Sequence, residues 1–350
     1  MPGPSDLETR AATRGLRVVA IGGGTGLSTL LRGLKRHTLL PSESSPAGPW
    51  IADLTAVVTV SDDGGSSGRL RRELNILPPG DIRNCLVAVS EDENIISRLF
   101  RHRFTGGGDL EGHSFGNLFL AALTALTGDF AEAVRRASEI LATRGHILPA
   151  TSANVQLEAI MNDGSHVFGE TDITASEKRI VDLKMLPADS HPLPQTLEAI
   201  AHADLITIGP GSLFTSLIPN VLVHGIPEAI AASGAVRVFV CNLMTEANES
   251  LMMSASRHIE AIYQHAGRSI FDYALVNCAP VSEAMKLRYA EERAEQVVCD
   301  KEAIEALGVK VIAGDFIEES DFARHATGLV CDELLRLAQT GSIRPQPALR

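Results

Sequence analysis

The chain has 350 residues, 45% of them hydrophobic and 4% aromatic, with a formal net charge of -12 at neutral pH. An acidic surface repels polyanions, which sets aside a general nucleic-acid or anionic-membrane binder. No apolar run approaches the ~18 residues needed to span a bilayer, and the first sixteen residues hold no apolar h-region. A cytoplasmic protein without membrane insertion is expected, with loose tails over 1–16 and 341–350.

In chain order, Val18-Val19-Ala20-Ile21 reads as a short apolar strand that stops at glycine, and Leu27, Leu30, Leu31 and Leu34 recur at helical spacing. That is strand, glycine turn, helix, the opening of a βαβ unit. Residues 38–50, rich in Pro and Ser, form a loop before a second strand from Leu54 to Val60 and a second glycine turn, Ser61 to Gly68. A mostly helical region runs from Asp81 through Leu141. Over 151–187 the pattern changes: Val155, Leu157 and Ala159 alternate with polar neighbours and Asn162-Asp163-Gly164-Ser165 is a hairpin turn, so a small antiparallel insertion is predicted. From 194 the α/β rhythm returns, with strands at Leu205–Ile208, Val236–Val240, Tyr273–Val276 and Val309–Ile312, helix 226–232 and a last helix around 322–338. The fold class is α/β with a mostly parallel sheet. The five cysteines (Cys85, Cys241, Cys278, Cys299, Cys331) show no C-x-x-C spacing and read as free thiols in a reducing compartment, with Cys85, Cys241 and Cys278 as buried filler.

The chemistry lies in the turns. In an open parallel sheet, ligands sit beyond the carboxyl ends of the strands, where strand order reverses. Gly22, Gly23, Gly24, Thr25 and Gly26 leave backbone N–H groups free to face an anion at the start of a helix. The run fails G-x-G-x-x-G, because Leu27 and Thr29 stand where the third glycine would be, and it fails Walker A for want of a closing Lys-Ser/Thr pair. NAD is thereby disfavoured, although it stays open as a ligand. In the second turn, Ser61 precedes Asp62 and Asp63, which could hold a hydrated Mg²⁺ beside phosphates, accept from ribose hydroxyls, or simply bond their own turn. Gly64, Ser66 and Gly68 spell G-x-S-x-G, but Ser66 lies six residues beyond the strand and no acid separates it from His113, so a nucleophile elbow is set aside. Pro78-Pro79-Gly80-Asp81 places Asp81 as a helix N-cap, with Arg83 and Asn84 behind it free to face a ligand. The arginines at 69, 71 and 72 and at 98, 101 and 103 read mostly as solvated helix faces. In Gly112-His113-Ser114-Phe115-Gly116-Asn117, His113 or Ser114 could cap the next helix and Asn117 could donate to a base or sugar. Gly209, Pro210, Gly211 and Ser212 open another strand–turn–helix, a second phosphate seat. Two seats suit a diphosphate or a long ligand. His113 and His224 are general-base candidates by position alone.

The stretches AIGGGTGLSTLLRGLK, VVTVSDDGGSSGRLRRE, PPGDIRNCLVAVS, GHSFGNLFLAALT, LPAT, GETDI and TIGPGSLFTSLIPN, in this order, resemble the gluconeogenesis factor (YvcK-like) family, a branch of the CofD-like proteins, over about residues 17 to 335. The resemblance implies a Rossmann-like three-layer αβα sandwich, one domain over 17–340. It also implies a cytoplasmic regulator that binds UDP-N-acetylglucosamine and links carbon flux to peptidoglycan precursor supply and cell shape, with a protein partner in cell-wall precursor synthesis. On matching positions the ligand would lie against Gly22 to Gly26, Asp62, Asp63, Asn84, Asn117 and Gly209 to Ser212. The other branch, 2-phospho-lactate transferase, ties the Asp pair to metal and diphosphate, which keeps a Mg²⁺-dependent transfer of a phospho-acyl group as the rival activity. One departure stands out: Cys241 to Ser250 keeps the family's Asn and Met-Thr but lacks the Gln-Pro-Gly expected after them. Self-association is a further open question.

Overall fold

A computed structural model describes residues 15–39, 48–91 and 95–341. Most of both expected tails and the middle of the 38–50 loop lie outside these. The elements in order are β1 (Leu16–Gly22), α1 (Gly24–Lys35), β2 (Ile51–Val58), α2 (Gly65–Leu74), α3 (Gly80–Val89), α4 (Ile95–Arg101), α5 (Phe115–Thr127), α6 (Phe130–Ile140) and β3 (His146–Pro149). Then come β4 (Gln156–Met161), β5 (His166–Phe168), α7 (Glu170–Ala175), β6 (Ile180–Leu186), α8 (Pro194–His202) and β7 (Leu205–Ile208). A π-helical turn, Leu213–Leu217, runs into α9 (Ile218–Leu222), followed by α10 (Ile226–Ala232), β8 (Val236–Val240), α11 (Ala255–Ala266) and β9 (Tyr273–Asn277). The chain closes with α12 (Glu283–Glu291), α13 (Lys301–Ala306), β10 (Lys310–Gly314), β11 (Ile317–Glu319), β12 (Ala323–His325) and α14 (Thr327–Gly341).

The central sheet has the order β10-β9-β8-β7-β1-β2-β3, and every pairing in it is parallel. Parallel strands need helical crossovers, which cover both faces; the inner strands are therefore apolar along almost their whole length. β7 (LITI) is buried at all four positions and β1 at six of seven. On α1 the predicted stripe Leu27, Leu30, Leu31 and Leu34 is buried against this sheet. The 151–187 segment forms its own antiparallel sheet, β5-β4-β6. Leu157, Ala159 and Met161 point inward in strict alternation. No single helix among the described residues is long and apolar enough to cross a membrane; the bent pair Leu213–Leu222 and Ile226–Ala232 passes on composition but is mostly buried in the protein core.

Two sequence expectations fail, and one strand was not predicted. The strand β3 (HILP) had no visible pattern: four residues at a sheet edge, ending in Pro, are too short to show periodicity. Cys278 is neither free nor buried filler. It is exposed at the end of β9 and bonded to Cys299, 21 residues on. Cys85, Cys241 and Cys331 are free and buried. Asp81 is not the cap of α3: Pro79 occupies that position, and Asp81 sits in the first helical turn with other contacts, described below.

At the strands' amino ends, two Arg–Asp clamps repeat one geometry. Arg17 donates from Nε (3.2 Å) and Nη2 (3.1 Å) to Asp204, whose carboxylate also takes the Arg17 backbone N–H at 2.9 Å. Arg237 and Asp272 do the same at 2.9, 2.7 and 3.1 Å. Each bidentate pair ties the start of one strand to the turn leading into its neighbour. Asp272→Ala strands a partly buried guanidinium and an N–H, so a stability loss of about 2 kcal/mol is expected in urea unfolding. Ligand affinity should stay unchanged, because the clamp lies at the amino ends of the strands and the site at their carboxyl ends.

Candidate functional site

The chain leaves β1 toward β2 and β3 on one side, and later builds β7, β8, β9 and β10 on the other. Strand order therefore reverses between β1 and β7, which are in register from Val18 beside Leu205 to Ile21 beside Ile208. Both glycine turns thus emerge side by side at the crevice where doubly wound sheets bind ligands. Gly24 opens α1 with φ at +62°, a left-handed conformation that glycine tolerates; Gly23 has no side chain to cap the helix, and the Gly24 N–H is taken by the Asp81 carboxyl from α3. The N–H groups that follow it in the first turn are left to face a ligand. The two turns touch: a Cβ on Gly26 would fall 2.3 Å from the Pro210 carbonyl oxygen.

A cavity of about 830 Å³ opens above them, lined on this side by Gly23 to Gly26, Thr29, Arg32, Gly211 and Ser212. Two carboxyl groups close one wall. Asp81 points back from α3 toward the first turn; burial pushes its pKa up to about 6, the Gly24 N–H pulls it down, and the nearby Asp62 adds to the rise. Glu170, in the first turn of α7, is pushed up to about 9 by burial and then by the negative charges of Asp62, Asp81, Glu249 and Asp63. Glu170 is therefore a proton donor at neutral pH. The remaining wall comes from the chain's last third: the 242–247 loop, Tyr289 and Glu292 around the end of α12, and Phe322, Arg324 and His325 on or next to β12. Burial lowers His325 to about 4, and its Nε2 donates to the Cys241 carbonyl at 3.0 Å, so the ring is neutral.

Of the residues singled out in sequence, the cavity wall takes Gly23, Gly24, Thr25, Gly26, Gly211 and Ser212. Gly22 and Gly209 stand just behind it, as the last residue of β1 and the first after β7. Asp62 accepts the Gly64 N–H at 2.9 Å, the turn-closing role, while its Oδ2 faces Gly80 next to Asp81. Asp63 accepts from the Thr171 N–H at 2.9 Å and hydroxyl at 2.6 Å, holding the start of α7 and thereby Glu170. Ser61 is buried and bonded to Thr59. Among the described residues no cluster of three or more His, Cys, Asp or Glu side chains has metal-binding geometry.

The rest form a second group off the cavity. Arg83 donates to Asn84 Oδ1 at 2.6 Å. Ser114 is the cap of α5, accepting from the Asn117 N–H at 3.2 Å. Asn117 Nδ2 donates to Ser66 Oγ at 3.1 Å, and Ser66 Oγ lies 3.0 Å from His113 Nδ1. The serine of the dismissed G-x-S-x-G does meet a histidine. The trio is buried, its third member is an amide instead of an acid, and it stitches α2 to α5. The cavity residues that sequence reading missed as such, Asp81, Glu170, Asn242, Glu246, Tyr289 and Arg324, come from separate segments; Asp81 and Glu170 lay inside recognised stretches, PPGDIRN and GETDI, Asn242 and Glu246 inside the departing stretch Cys241 to Ser250, and Tyr289 and Arg324 in none.

The family described as 2-phospho-L-lactate transferase CofD matches residues 18–317. A gluconeogenesis factor of Halalkalibacterium halodurans is 48% identical over 91% of this chain and 95% of its own. That of Bacillus subtilis is 46% identical over 92% and 98%. A crystal structure of a Bacillus halodurans protein covers 92% of this chain and 100% of its own, with a TM-score of 0.86 at 47% identity. The fold with its seven-stranded parallel sheet is thus a shared architecture, and the chain belongs to the CofD family, among the proteins named gluconeogenesis factor.

Proposed function

We propose that this chain is a cytoplasmic regulator that holds UDP-N-acetylglucosamine in the switch-point cavity without converting it, and so links carbon metabolism to peptidoglycan precursor supply and cell shape. The observation that carries the reading is the glycine-rich N-terminus of α1, Gly23 to Gly26, facing an 830 Å³ cavity. That volume is in the range of small-molecule sites and admits a nucleotide-sugar. The diphosphate would take the turn's N–H groups with Arg32 and Arg324, the base would lie on Tyr289 or Phe322, and the carboxyl groups of Asp81 and Glu170 would bond sugar or ribose hydroxyls. The names of the relatives support the regulatory half of the reading. A partner protein in precursor synthesis would receive the signal.

The second reading is a Mg²⁺-dependent transferase moving a phospho-acyl group from a nucleotide diphosphate, favoured by the family description and by the closeness of Asp62, Asp81 and Glu170. Asp62 and Asp81 are hard oxygen donors near the turn and would hold the ion. Calorimetry with UDP-N-acetylglucosamine, with and without Mg²⁺, followed by mass spectrometry of the ligand, separates the two. The regulator gives saturable heat and unchanged ligand. Its Arg324→Ala variant should bind at least about tenfold more weakly, near 1.4 kcal/mol. No heat with any UDP-sugar at millimolar concentration would overturn it, and Mg²⁺-dependent breakdown would favour the transferase.

A further inference from the structure

The donors that follow the second glycine turn are not vacant. Ser212 Oγ donates to Glu246 Oε1 at 3.0 Å on the cavity wall. The buried Glu249 accepts the N–H groups of Phe214 and Thr215 at 3.0 and 3.3 Å and the Thr215 hydroxyl at 2.8 Å. The chain's own carboxylates therefore sit at the start of the π-helical turn, where a ligand phosphate was expected from sequence. These two glutamates belong to one hydrogen-bonded turn. Glu246 N–H donates to Ser250 Oγ at 3.0 Å, and the N–H groups of Glu249 and Ser250 both return to the Glu246 carbonyl, at 3.1 and 2.9 Å. Just beyond it the chain surfaces. Leu251 is 44% and Met252 82% exposed, and Met252 holds φ at +60°, a conformation that a residue with a side chain adopts at a cost. A second cavity of about 670 Å³ lies on this outer side, with Glu249, Leu251 and Met252 in its wall.

We propose that the turn from Glu246 to Met252 is a latch: a diphosphate seated against Gly23 to Gly26 drives the Glu246 carboxylate from Ser212, and the turn carries that movement to Leu251 and Met252 at the surface. The argument is electrostatic and mechanical. Burial already opposes the Glu246 charge and the Ser212 hydroxyl favours it, so an anion entering this partly dry cavity adds repulsion that weakens the Ser212 contact. The Glu246 backbone is bound to the rest of the turn through the Ser250 hydroxyl and its own carbonyl, so a displacement that reaches its main chain moves the turn as a unit. The strained Met252 supplies a segment with an alternative backbone state within reach. This inference rests on the diphosphate reading of the cavity and supplies the output that a non-catalytic sensor requires.

The test uses the full chain with Met252→Cys carrying an environment-sensitive dye, titrated separately with UDP-N-acetylglucosamine and with inorganic pyrophosphate, beside calorimetry. Amide exchange of residues 246–252 in the unmodified protein serves as a label-free control. Dye emission should change at least twofold and saturate with the heat of binding. Adding Ser250→Ala, which cuts the strut behind Glu246, should keep the heat and reduce the dye response at least threefold. Heat from either probe with emission and exchange unchanged would overturn the latch and leave the cavity reading standing. Movement with pyrophosphate but no response to UDP-N-acetylglucosamine would uphold the latch and overturn the nucleotide-sugar. Silence with both would overturn both.

Discussion

Gly26→Ala is expected to abolish ligand binding in calorimetry and to lower stability by about 3 kcal/mol, the upper end of the overpacking range. The added Cβ would stand 2.3 Å from the Pro210 carbonyl oxygen, 2.7 Å from its carbon and 3.0 Å from the Gly211 nitrogen. These are backbone atoms, so no rotamer change relieves them. Nor can the second turn withdraw freely: Gly211 donates to Asn242 Oδ1 at 3.0 Å and accepts from Asn242 Nδ2 at 2.8 Å. The two turns must separate, and the cavity between them changes shape with them. Gly234→Ala is the matched control, since a Cβ there meets nothing within 4 Å and its φ is ordinary; it should shift stability by no more than about 0.5 kcal/mol. If Gly26→Ala unfolds like the control and binds normally, the close approach of the turns has no part in building the site.

That same contact marks the limit of what could be read from sequence. Strand, glycine turn and α1 were legible because each signal is local: an apolar run, consecutive glycines, then leucines at helical spacing. The insertion was legible for the same reason, since alternation over 155–159 and the turn at 162–165 lie within one short segment. What assembles the cavity is not local. Tyr289 and Arg324 reach it from the chain's last third, and only the strand order that sets β7 beside β1 brings the second glycine turn to the first. Asp81 shows a different failure. Aspartate at a helix start is ordinarily a cap, but here Pro79 holds the cap position and the Asp81 carboxyl is spent on Gly24. Cys278 and Cys299 were misread because a spacing of 21 carries no signal until β9 and the segment before α13 are folded together. The stretch that departs from the family pattern, Cys241 to Ser250, supplies a wall of the cavity through Asn242 to Ala247 and closes on itself in the Glu246–Ser250 turn.

The second large effect concerns pH. Glu170 holds its proton up to about 9, against an ordinary 4.5, because burial and then the charges of Asp62, Asp81, Glu249 and Asp63 oppose ionisation. Between those two values the folded chain binds a proton that the unfolded chain has released. Stability must therefore fall as pH rises through that window, and below about 4.5 the group contributes nothing. Glu170→Gln keeps the size and the hydrogen-bonding capacity while removing the charge that has to be suppressed. The variant should match the parent near pH 4.5 and become progressively more stable above it, by about 2 kcal/mol at pH 9 once solvent screening of a partly exposed group is allowed for. Urea midpoints from pH 5 to 9 measure this directly; a gap that stays constant or closes with rising pH would refute the buried-acid account. Asp81 and Glu249, raised to about 6 and 7, bend the parent's curve in the same direction, but their contribution is common to both proteins and cancels in the difference. A Mg²⁺ arm adds a mechanistic reading. An ion held by Asp62 and Asp81 would favour the ionised form of Glu170 and expel its proton, stabilising the parent at pH 8 more than the variant. That result would move the balance toward the transferase. Equal curves with and without Mg²⁺ would leave Glu170 as a neutral donor to a sugar hydroxyl, the role the regulator needs.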